Sequence, residues 1–543
     1  MHKTLAILSL LLCATLTAQN ITVTGTVFDA DSNELLPGAS VVVSESNVGT
    51  TTDFDGNFTL ENLKVEDQII ISYIGYKDYT VTINSSERLS IGLQISSSKL
   101  DEIVVIGYGT QTKKEVTGAV SVVGSETIGK LNPSRVEQAL QGQVSGVNIT
   151  SNSGSPGSGL KINIRGVSTN GDNRPLILVD GNVIEDLSVL NPKDIKSVNV
   201  IKDATAGIYG VRGANGVILI ELKKGTKGSP LSLEVDTFFG LQSASRTMDL
   251  METEDYVLYT NEYKKNKFRE MPEYNVDWQN EVLSNAPILS TNISANGGFE
   301  KSSYSASISY LNQDGIVGLD KSNYTRLTTR LSYNYDLLKN LRLNFSGIYT
   351  NSIKNNLSEN GIGSILYSAI NMSPAIPVYN QDDFDEITNP MAFSYVNLIS
   401  AIEIANPMAL IHNSQNTTNV DKFSGSLGLS YDLSKNIELN SSFQFNHSSV
   451  LDDVFRPVAY YGTAKSSNRT KFEIQDYGAN FDDYTWDNFL KYTNDFNELN
   501  IKLLVGTSIF KTTGNFYGYT FEEGAASNTP RFTASSMFER IYN

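Results

Sequence analysis

Cysteine is all but missing from this sequence. Of 543 residues one is a cysteine, Cys13, alongside three histidines and two tryptophans. Such a chain forms no internal disulfide and no thiolate metal cluster. Positive charge is short too: 42 Lys and Arg against 59 Asp and Glu leave a formal net charge of −17, which disfavours generic attraction to nucleic acid or to an anionic membrane surface. Beyond the first twenty residues no apolar run reaches the roughly 18 residues of a membrane-spanning helix. Any insertion into a bilayer has to use a barrel.

The N-terminus sets His2 and Lys3 before an apolar run over residues 5–16 and then "TAQN". This is the pattern of a secretory signal, expected over residues 1–18 with cleavage after Ala18, and it is too short to span a bilayer. Cys13 lies inside it and follows leucines instead of the small residues of a lipoprotein site, so the exported chain is expected to carry no cysteine.

Over residues 20–97 short β-rich runs ("ITVTGTVFDA", "SVVVS", "TTDFDGNFTLENL", "QIIISYIGY", "YTVTIN") alternate with Asn, Asp and Gly. Five such runs predict a small antiparallel β-sandwich. "DADSNE", residues 29–34, starts like an EF-hand loop, but Glu34 stands where glycine is needed and Ser40 where the closing glutamate belongs. A turn remains. Over residues 115–227 glycines crowd among short strands ("LKINIRGV", "PLILVDG", "NGVILIELKKG") and short helical stretches ("PSRVEQALQG"), a mixture that predicts a compact α+β domain with tight backbone approaches.

From residue 229 onward a period of two takes over. In "RLTTRLSYNY" Leu327, Thr329, Leu331, Tyr333 and Tyr335 share one face, opposed by Arg326, Thr328, Arg330, Ser332 and Asn334. The turn "YDLLKNL" returns as "YDLSKNI" and more loosely as "YTNDFNELNI", and long polar stretches lie between these turns. Tight turns at one end, long loops at the other and aromatics near strand ends are what a transmembrane β-barrel requires. A soluble sandwich or an extracellular repeat array also alternates, and the residues alone leave both open.

No catalytic pattern emerges. His412 and His447 stand in polar or barrel-like contexts without metal spacing and are expected to be solvated or to face a lumen. "GSETIGKL", residues 124–131, has the glycines and lysine of a P-loop, yet Leu131 occupies the Mg²⁺-binding hydroxyl position and no preceding strand is evident. "GVRGANG", residues 210–216, precedes a strand instead of a helix, so it reads as a packing turn. An enzyme is not expected, and no metal or cofactor is expected.

Between the first two domains, at residues 100–110, lies an acidic pair followed by an apolar run and a glycine break: Asp101, Glu102, Ile103, Val104, Val105, Ile106, then Gly107 and Gly109. On its residues alone this run reads more readily as the last strand of the sandwich or the first of the next domain. The flanking stretches change that reading. "GTVFDADSNELLPGASVVV" and "ISYIGYK", then "LDEIVVIGYGTQTKKEVTGAVSVV", then "KINIRGVSTNGDNRPLILVDGNVI" and "LNPKDIKSVNVIKDATAGIYGVRGANGVILIELKKG" resemble, in that order, the N-terminal portion of SusC/RagA TonB-linked outer-membrane transporters. The resemblance implies a mainly β protein: a carboxypeptidase-regulatory-like sandwich, a TonB box over residues 101–106, a plug domain over residues 115–227, and the N-terminal part of an antiparallel outer-membrane barrel over residues 229–543.

The resemblance further implies import of glycans or oligopeptides, driven by TonB gripping the box as an added strand and remodelling the plug, with sandwich and box on the periplasmic side. The implied partners are the TonB periplasmic domain, a SusD-like surface lipoprotein, the cargo and outer-membrane lipid. Import of another nutrient, of siderophore or signalling type, is the alternative, with a surface adhesin behind it. Arg165 and Gly166, Asp180 and Gly181, and Arg212 and Gly213 match the family's plug motifs and are implied to hold plug against wall, although ordinary turn chemistry would also suit them. The family's barrel has 22 strands and the readable hairpins supply about half that number, so the chain is expected to be a fragment of a longer protein.

Overall fold

A computed structural model describes residues 21–542, apart from residues 31, 45–48, 65–66, 74–75, 84, 86–87, 95–102, 107–108, 113–119, 132, 152, 265–266, 269, 359, 397–402, 497–498 and 525–536. The expected signal, residues 1–18, lies outside the described residues. The chain divides into two compact units, one dominated by the first hundred residues and the other by residues 118–543.

The first unit is a β-sandwich. One sheet has the order β4 (Asn57–Leu63), β1 (Ile21–Asp29), β7 (Leu89–Leu93); the other has β3 (Gly49–Thr51), β2 (Ser40–Val43), β5 (Gln68–Ser72), β6 (Tyr79–Thr82). Alternate residues of each strand turn inward, so Val23, Val27, Val41, Ile69, Ile71 and Ile91 close a core between the sheets. Two features correct the sequence reading: the described residues form seven strands instead of five, and β1 runs parallel to β7. A pairing between the first and last strands has no local signature. At the start of the would-be calcium loop, Asp29 accepts the Ser32 N–H at 2.8 Å and the Tyr76 hydroxyl at 2.6 Å, closing a turn.

Ile103–Ile106 (β8) and Gly109–Thr112 (β9) form a two-stranded sheet that joins none of the others.

The second unit holds a small domain and a wall. The small domain is built on a five-stranded sheet in the order β10 (Val120–Gly124), β15 (Ile195–Ile201), β16 (Val217–Leu222), β13 (Leu176–Val179), β14 (Asn182–Ile184), with β11 (Val147–Ser151) and β12 (Leu160–Ile164) as a separate hairpin. β15 and β16 are buried on both faces, as near-continuous Val and Ile runs should be. A strand does precede "GSETIGKL", contrary to the sequence reading. However, β10 runs straight into the helix Ser125–Leu131, which leaves no loop to wrap a phosphate.

The wall is one antiparallel sheet of ten strands in chain order: β17 (Ser232–Gln242), β18 (Ala286–Phe299), β19 (Ser302–Asp314), β20 (Asn323–Leu338), β21 (Leu341–Asn355), β22 (Gln415–Ser434), β23 (Ile437–Arg456), β24 (Lys471–Phe496), β25 (Leu499–Gly524), β26 (Met537–Tyr542). The repeated turns join β20 to β21, β22 to β23 and β24 to β25, all at one end. At the other end the loops between β17 and β18 and between β21 and β22 pack together around Trp278, whose indole N–H donates to the Ser373 carbonyl at 3.0 Å. Among the described residues no helix is long and apolar enough to cross a membrane.

The wall is inside-out relative to a soluble sheet. On β20, Arg326, Thr328, Arg330 and Ser332 are buried, while Leu327 and Leu331 are exposed. The same inversion leaves Leu427, Leu429, Leu439, Phe443, Trp486, Leu490, Val505 and Ile509 open on the outer face of β22 to β25. An apolar belt of this extent would drive aggregation in water and suits hydrocarbon. Of the two settings expected for His447, solvated or facing a lumen, the second does not hold: it is part-exposed on the outer face, with its Nδ1 2.7 Å from Asp482 Oδ1 where the belt gives way to polar residues. Arginine at the outer-face position Leu331 is expected to cost about 2–4 kcal/mol of folding stability in lipid vesicles, whereas Ser332→Ala on the inner face should cost under about 1 kcal/mol. Equal costs in an unfolding titration would refute the assignment of faces.

Candidate functional site

The small domain sits against the inner face of the wall, and the two are joined mainly by polar groups. The domain's main hydrophobic core includes a single wall side chain, Ile348. The Arg135 guanidinium bonds Glu137 at 2.7 Å and Asp186 at 3.1 Å, and Lys422 of β22 reaches the other Asp186 oxygen at 3.1 Å. Asp186 is fixed in place by the Ser188 N–H at 2.9 Å and its hydroxyl at 2.5 Å.

Around this centre the wall's inner face supplies donors and acceptors strand by strand. Arg326 donates to the Ser134 and Ser188 carbonyls. Arg330 donates to the Lys223 carbonyl and to Ser305 Oγ. Thr350 donates to the Val189 carbonyl at 3.0 Å, and Ser307 to Asp194 at 2.8 Å. Asn191 pairs with Asn292, Lys193 with Asp236, and Asn182 with Asn446. One close approach excludes any side chain: a Cβ on Gly157, whose φ is +67°, would fall 2.3 Å from the Tyr324 ring of β20.

Charge follows burial. Burial alone would raise the Asp186 carboxyl, but Lys422 and Arg135, helped by Ser188, outweigh it and hold that carboxyl well below the usual carboxylate range. Asp194 goes the other way: burial raises its pKa, and Arg330 and Ser307 offset only part of the rise. Burial pulls the Arg135 guanidinium down, but Glu137 and Asp186 more than restore it. A domain with its own core, fastened to its container by desolvated ion pairs and hydrogen bonds, can be undone without breaking either core.

Comparison with known proteins agrees with this architecture. Residues 23–105 match the CarboxypepD_reg-like domain and residues 112–217 match the TonB-dependent Receptor Plug Domain. Over 540 residues the chain is 32% identical to TonB-dependent receptor P3 of Formosa agariphila, spanning 98% of this chain and 51% of that protein. Over 403 residues it is 34% identical to the TonB-dependent receptor SusC of Bacteroides thetaiotaomicron, spanning 72% of this chain and 39% of that one.

The chain belongs to the SusC-like TonB-dependent receptors.

The receptor spans about half the length, or less, of the curated relatives it matches. In fold it resembles the chain solved as the RagAB peptide importer in its open-open state, with a TM-score of 0.68 at 19% identity over 81% of this chain and 53% of that one. The small domain is accordingly the plug, the ten strands are barrel wall, and the receptor is an outer-membrane protein.

Asp101 and Glu102 of the expected TonB box lie outside the described residues. Its remaining residues, Ile103–Ile106, are extended as expected, but as β8 they are paired with β9 instead of standing alone. Asp180 and Gly181 form the two-residue turn between β13 and β14, with positive φ of 47° and 89°. The Asp180 carboxylate accepts the Leu222 N–H at 3.3 Å and pairs with Lys224, just beyond β16, at 3.3 Å, and its charge also reaches Arg330 of β20 on the wall. Arg165, with φ of 58°, is exposed and has no side-chain hydrogen bond among the described residues. Arg212 does reach the wall, with its guanidinium 4.4 Å from the centre of the Phe510 ring on β25. Gly213 has no room for a side chain, since a Cβ would lie 2.4 Å from the Ala206 carbonyl.

Sequence reasoning did not find Arg135, Glu137, Asp186 and Lys422. The available signal was the four-residue spacing of Arg326 and Arg330 on the wet face of β20, because two arginines facing inward need something anionic or carbonyl-rich to face.

Removing Lys422 tests the latch. Lys422→Met is expected to weaken plug docking by about 1–2 kcal/mol, less than the roughly 3–5 of a fully buried pair, because 40% of the Asp186 side chain is open. The docked Asp186 carboxyl lies below its ordinary value, so its contribution is complete above about pH 4 and is lost as the pH falls toward the docked value. Hydrogen exchange of the plug amides near residue 188, compared with wild type, should therefore show a loss of protection that shrinks below about pH 4. The same loss at pH 3 as at pH 6 would show that Lys422 acts through another group.

Proposed function

We propose that the receptor imports a glycan or oligopeptide across the outer membrane, with TonB pulling on residues 101–106 and remodelling the plug to open a path. The plug–wall interface carries this reading. Its contacts are ion pairs and hydrogen bonds that water can replace, so displacing the plug exposes little apolar surface and the two cores stay intact. No ATP is at hand in this compartment, and a mechanical pull is the energy source such a latch suits.

Ile103–Ile106 supports the grip, since an extended segment can add to a partner sheet through main-chain bonds alone. In the proposed arrangement the sandwich and box face the periplasm, and the tight turns of the wall lie on that side. The long loops face outward, where a SusD-like lipoprotein closes over them. Named relatives lend support of two kinds: one is SusC, and the fold neighbour is described as a peptide importer. A receptor for another nutrient shares the interface and the grip, but not the lipoprotein or these named relatives.

Proline at Ile103 and Val105 removes two main-chain donors and blocks strand addition. The double variant should reach the outer membrane at wild-type level and lose energised uptake. Undiminished uptake with normal protein levels would end the TonB-coupled reading.

A further inference from the structure

We propose that a pocket between Arg456 and Arg469, at the loop end of the wall's inner face, binds the carboxylate or sulfate ester of an acidic saccharide, a reading that rests on the chain being an importer and names the charge of its cargo. Arg456 ends β23 and stands ten residues from Asn446, which bonds the plug's Asn182, so both face inward. Asn416 of β22, six residues from the latch residue Lys422, faces the same way. The pocket has a volume of about 370 Å³, within the roughly 300–1,000 Å³ of small-molecule sites. It opens on the side turned away from lipid, so a membrane phosphate is not its ligand.

Both ends of the loop between β21 and β22 build the pocket, together with the loop from β23 to β24. Arg469 is placed by its backbone, which exchanges two main-chain hydrogen bonds with Ala459 at 2.9 and 3.1 Å. Beside it Tyr461 is buried, its N–H donating to Asn468 Oδ1 at 2.8 Å and its hydroxyl accepting Asn413 Nδ2 at 3.0 Å. The guanidinium carried by this frame has no task in the fold: among the described residues it makes no hydrogen bond and no ion pair.

The carboxylates nearby are taken. Glu473 is bonded by Arg456 at 3.1 Å and by Gln475, and Glu403, beside Gly363 of the lining, accepts the Ser466 hydroxyl at 2.5 Å and is offset by Lys465. Arg456, Arg469 and Lys465 thus face two carboxylates, a positive surplus in a chain whose net charge is −17. Burial pulls the Arg469 guanidinium below its ordinary value and the like charge of Arg456 adds to the fall, against partial offsets from Tyr461 and Glu473. A desolvated cation left without a counter-ion calls for an anion from outside. Both arginines are in reach, since Arg469 is half-buried and Arg456 keeps 35% of its side chain open. A guanidinium takes a carboxylate or a sulfate ester through two parallel N–H bonds.

The rest of the lining suits hydroxyl groups. Asn416 and Ser467 present side chains that have no hydrogen bond among the described residues. The strands that end here, β21 to β24, are each paired on both sides, which leaves no strand edge to take a peptide main chain. A sugar ring bearing an acidic group meets both the cations and the amides.

The test titrates purified receptor in detergent with hexagalacturonate and its methyl ester, with a sulfated carrageenan tetrasaccharide and its desulfated form, and with hexaglutamate as the acidic peptide. Wild type should bind hexagalacturonate or the sulfated tetrasaccharide at least tenfold more tightly than the matching uncharged form, and the one bound tells carboxylate from sulfate ester. Arg469→Gln should abolish that preference, whereas Arg469→Lys, which keeps the charge and loses the fork, should retain part of it. Both variants should melt as wild type does, and a lower melting temperature for Arg469→Gln would show a guanidinium that serves the fold and overturn the site. It is equally overturned by no acidic saccharide bound at millimolar concentration, by equal affinity for charged and uncharged forms, by an unchanged preference in Arg469→Gln, or by hexaglutamate bound as tightly as the saccharides. The two readings fail separately: undiminished uptake in the Ile103→Pro, Val105→Pro variant sinks energised import with the pocket intact, while an unchanged preference in Arg469→Gln sinks the pocket alone.

Discussion

A sheet that crosses hydrocarbon must turn its apolar side chains outward, and the rest of this structure follows from that inversion. With Leu327, Leu331 and their neighbours committed to lipid, the opposite face of every wall strand is free to be polar. Whatever fills the space inside must then bind by charge and hydrogen bond. The plug answers with Glu137, Asp186 and Asp194 turned toward Arg326, Arg330 and Lys422. Most of its own apolar residues are used up in its own core. The wall's exterior chemistry thus decides the kind of contact made in its interior, and that contact decides how the interior can be rearranged.

How much of this was legible in the sequence depended on distance along the chain. The two faces of β20 could be read because the side-chain period is two and the strand is long. The repeated turns could be read because "YDLLKNL" and "YDLSKNI" are local. What escaped needed partners far away, as with β1 beside β7 in the sandwich and Asp186 beside Lys422 across 236 positions; β8 has a near partner that escaped for another reason, since β9 reads Gly-Thr-Gln-Thr and carries no apolar signal. The plug motifs separated for the same reason. Asp180 and Gly181 announce a turn and make one, whereas the wall contact of Arg212 depends on Phe510, which no spacing rule connects to it. His447 kept two possible settings because its strand was recognised without its face.

Glycine serves the plug and the wall differently. In the plug it permits close approach, as where the backbone at Gly157 meets the Tyr324 ring. In the wall it leaves room for an aromatic neighbour to lie down, as at Gly514 beside Phe481 and Gly518 beside Tyr477. Neither use is visible from the glycine alone, since what matters is the ring opposite.

β10 carries a consequence for how force travels. It is the edge strand of the plug sheet, antiparallel to β15, with its first residue, Val120, beside Ile201 at that strand's end. Tension applied upstream of residue 120 therefore meets the sheet at one corner, where the strand peels like a zip and its hydrogen bonds break in succession. A strand loaded along its length would resist with all its bonds at once. Under the proposed pull the sheet would be loaded first at Val120, and β16 and β13, deep in the sheet, would feel the load last.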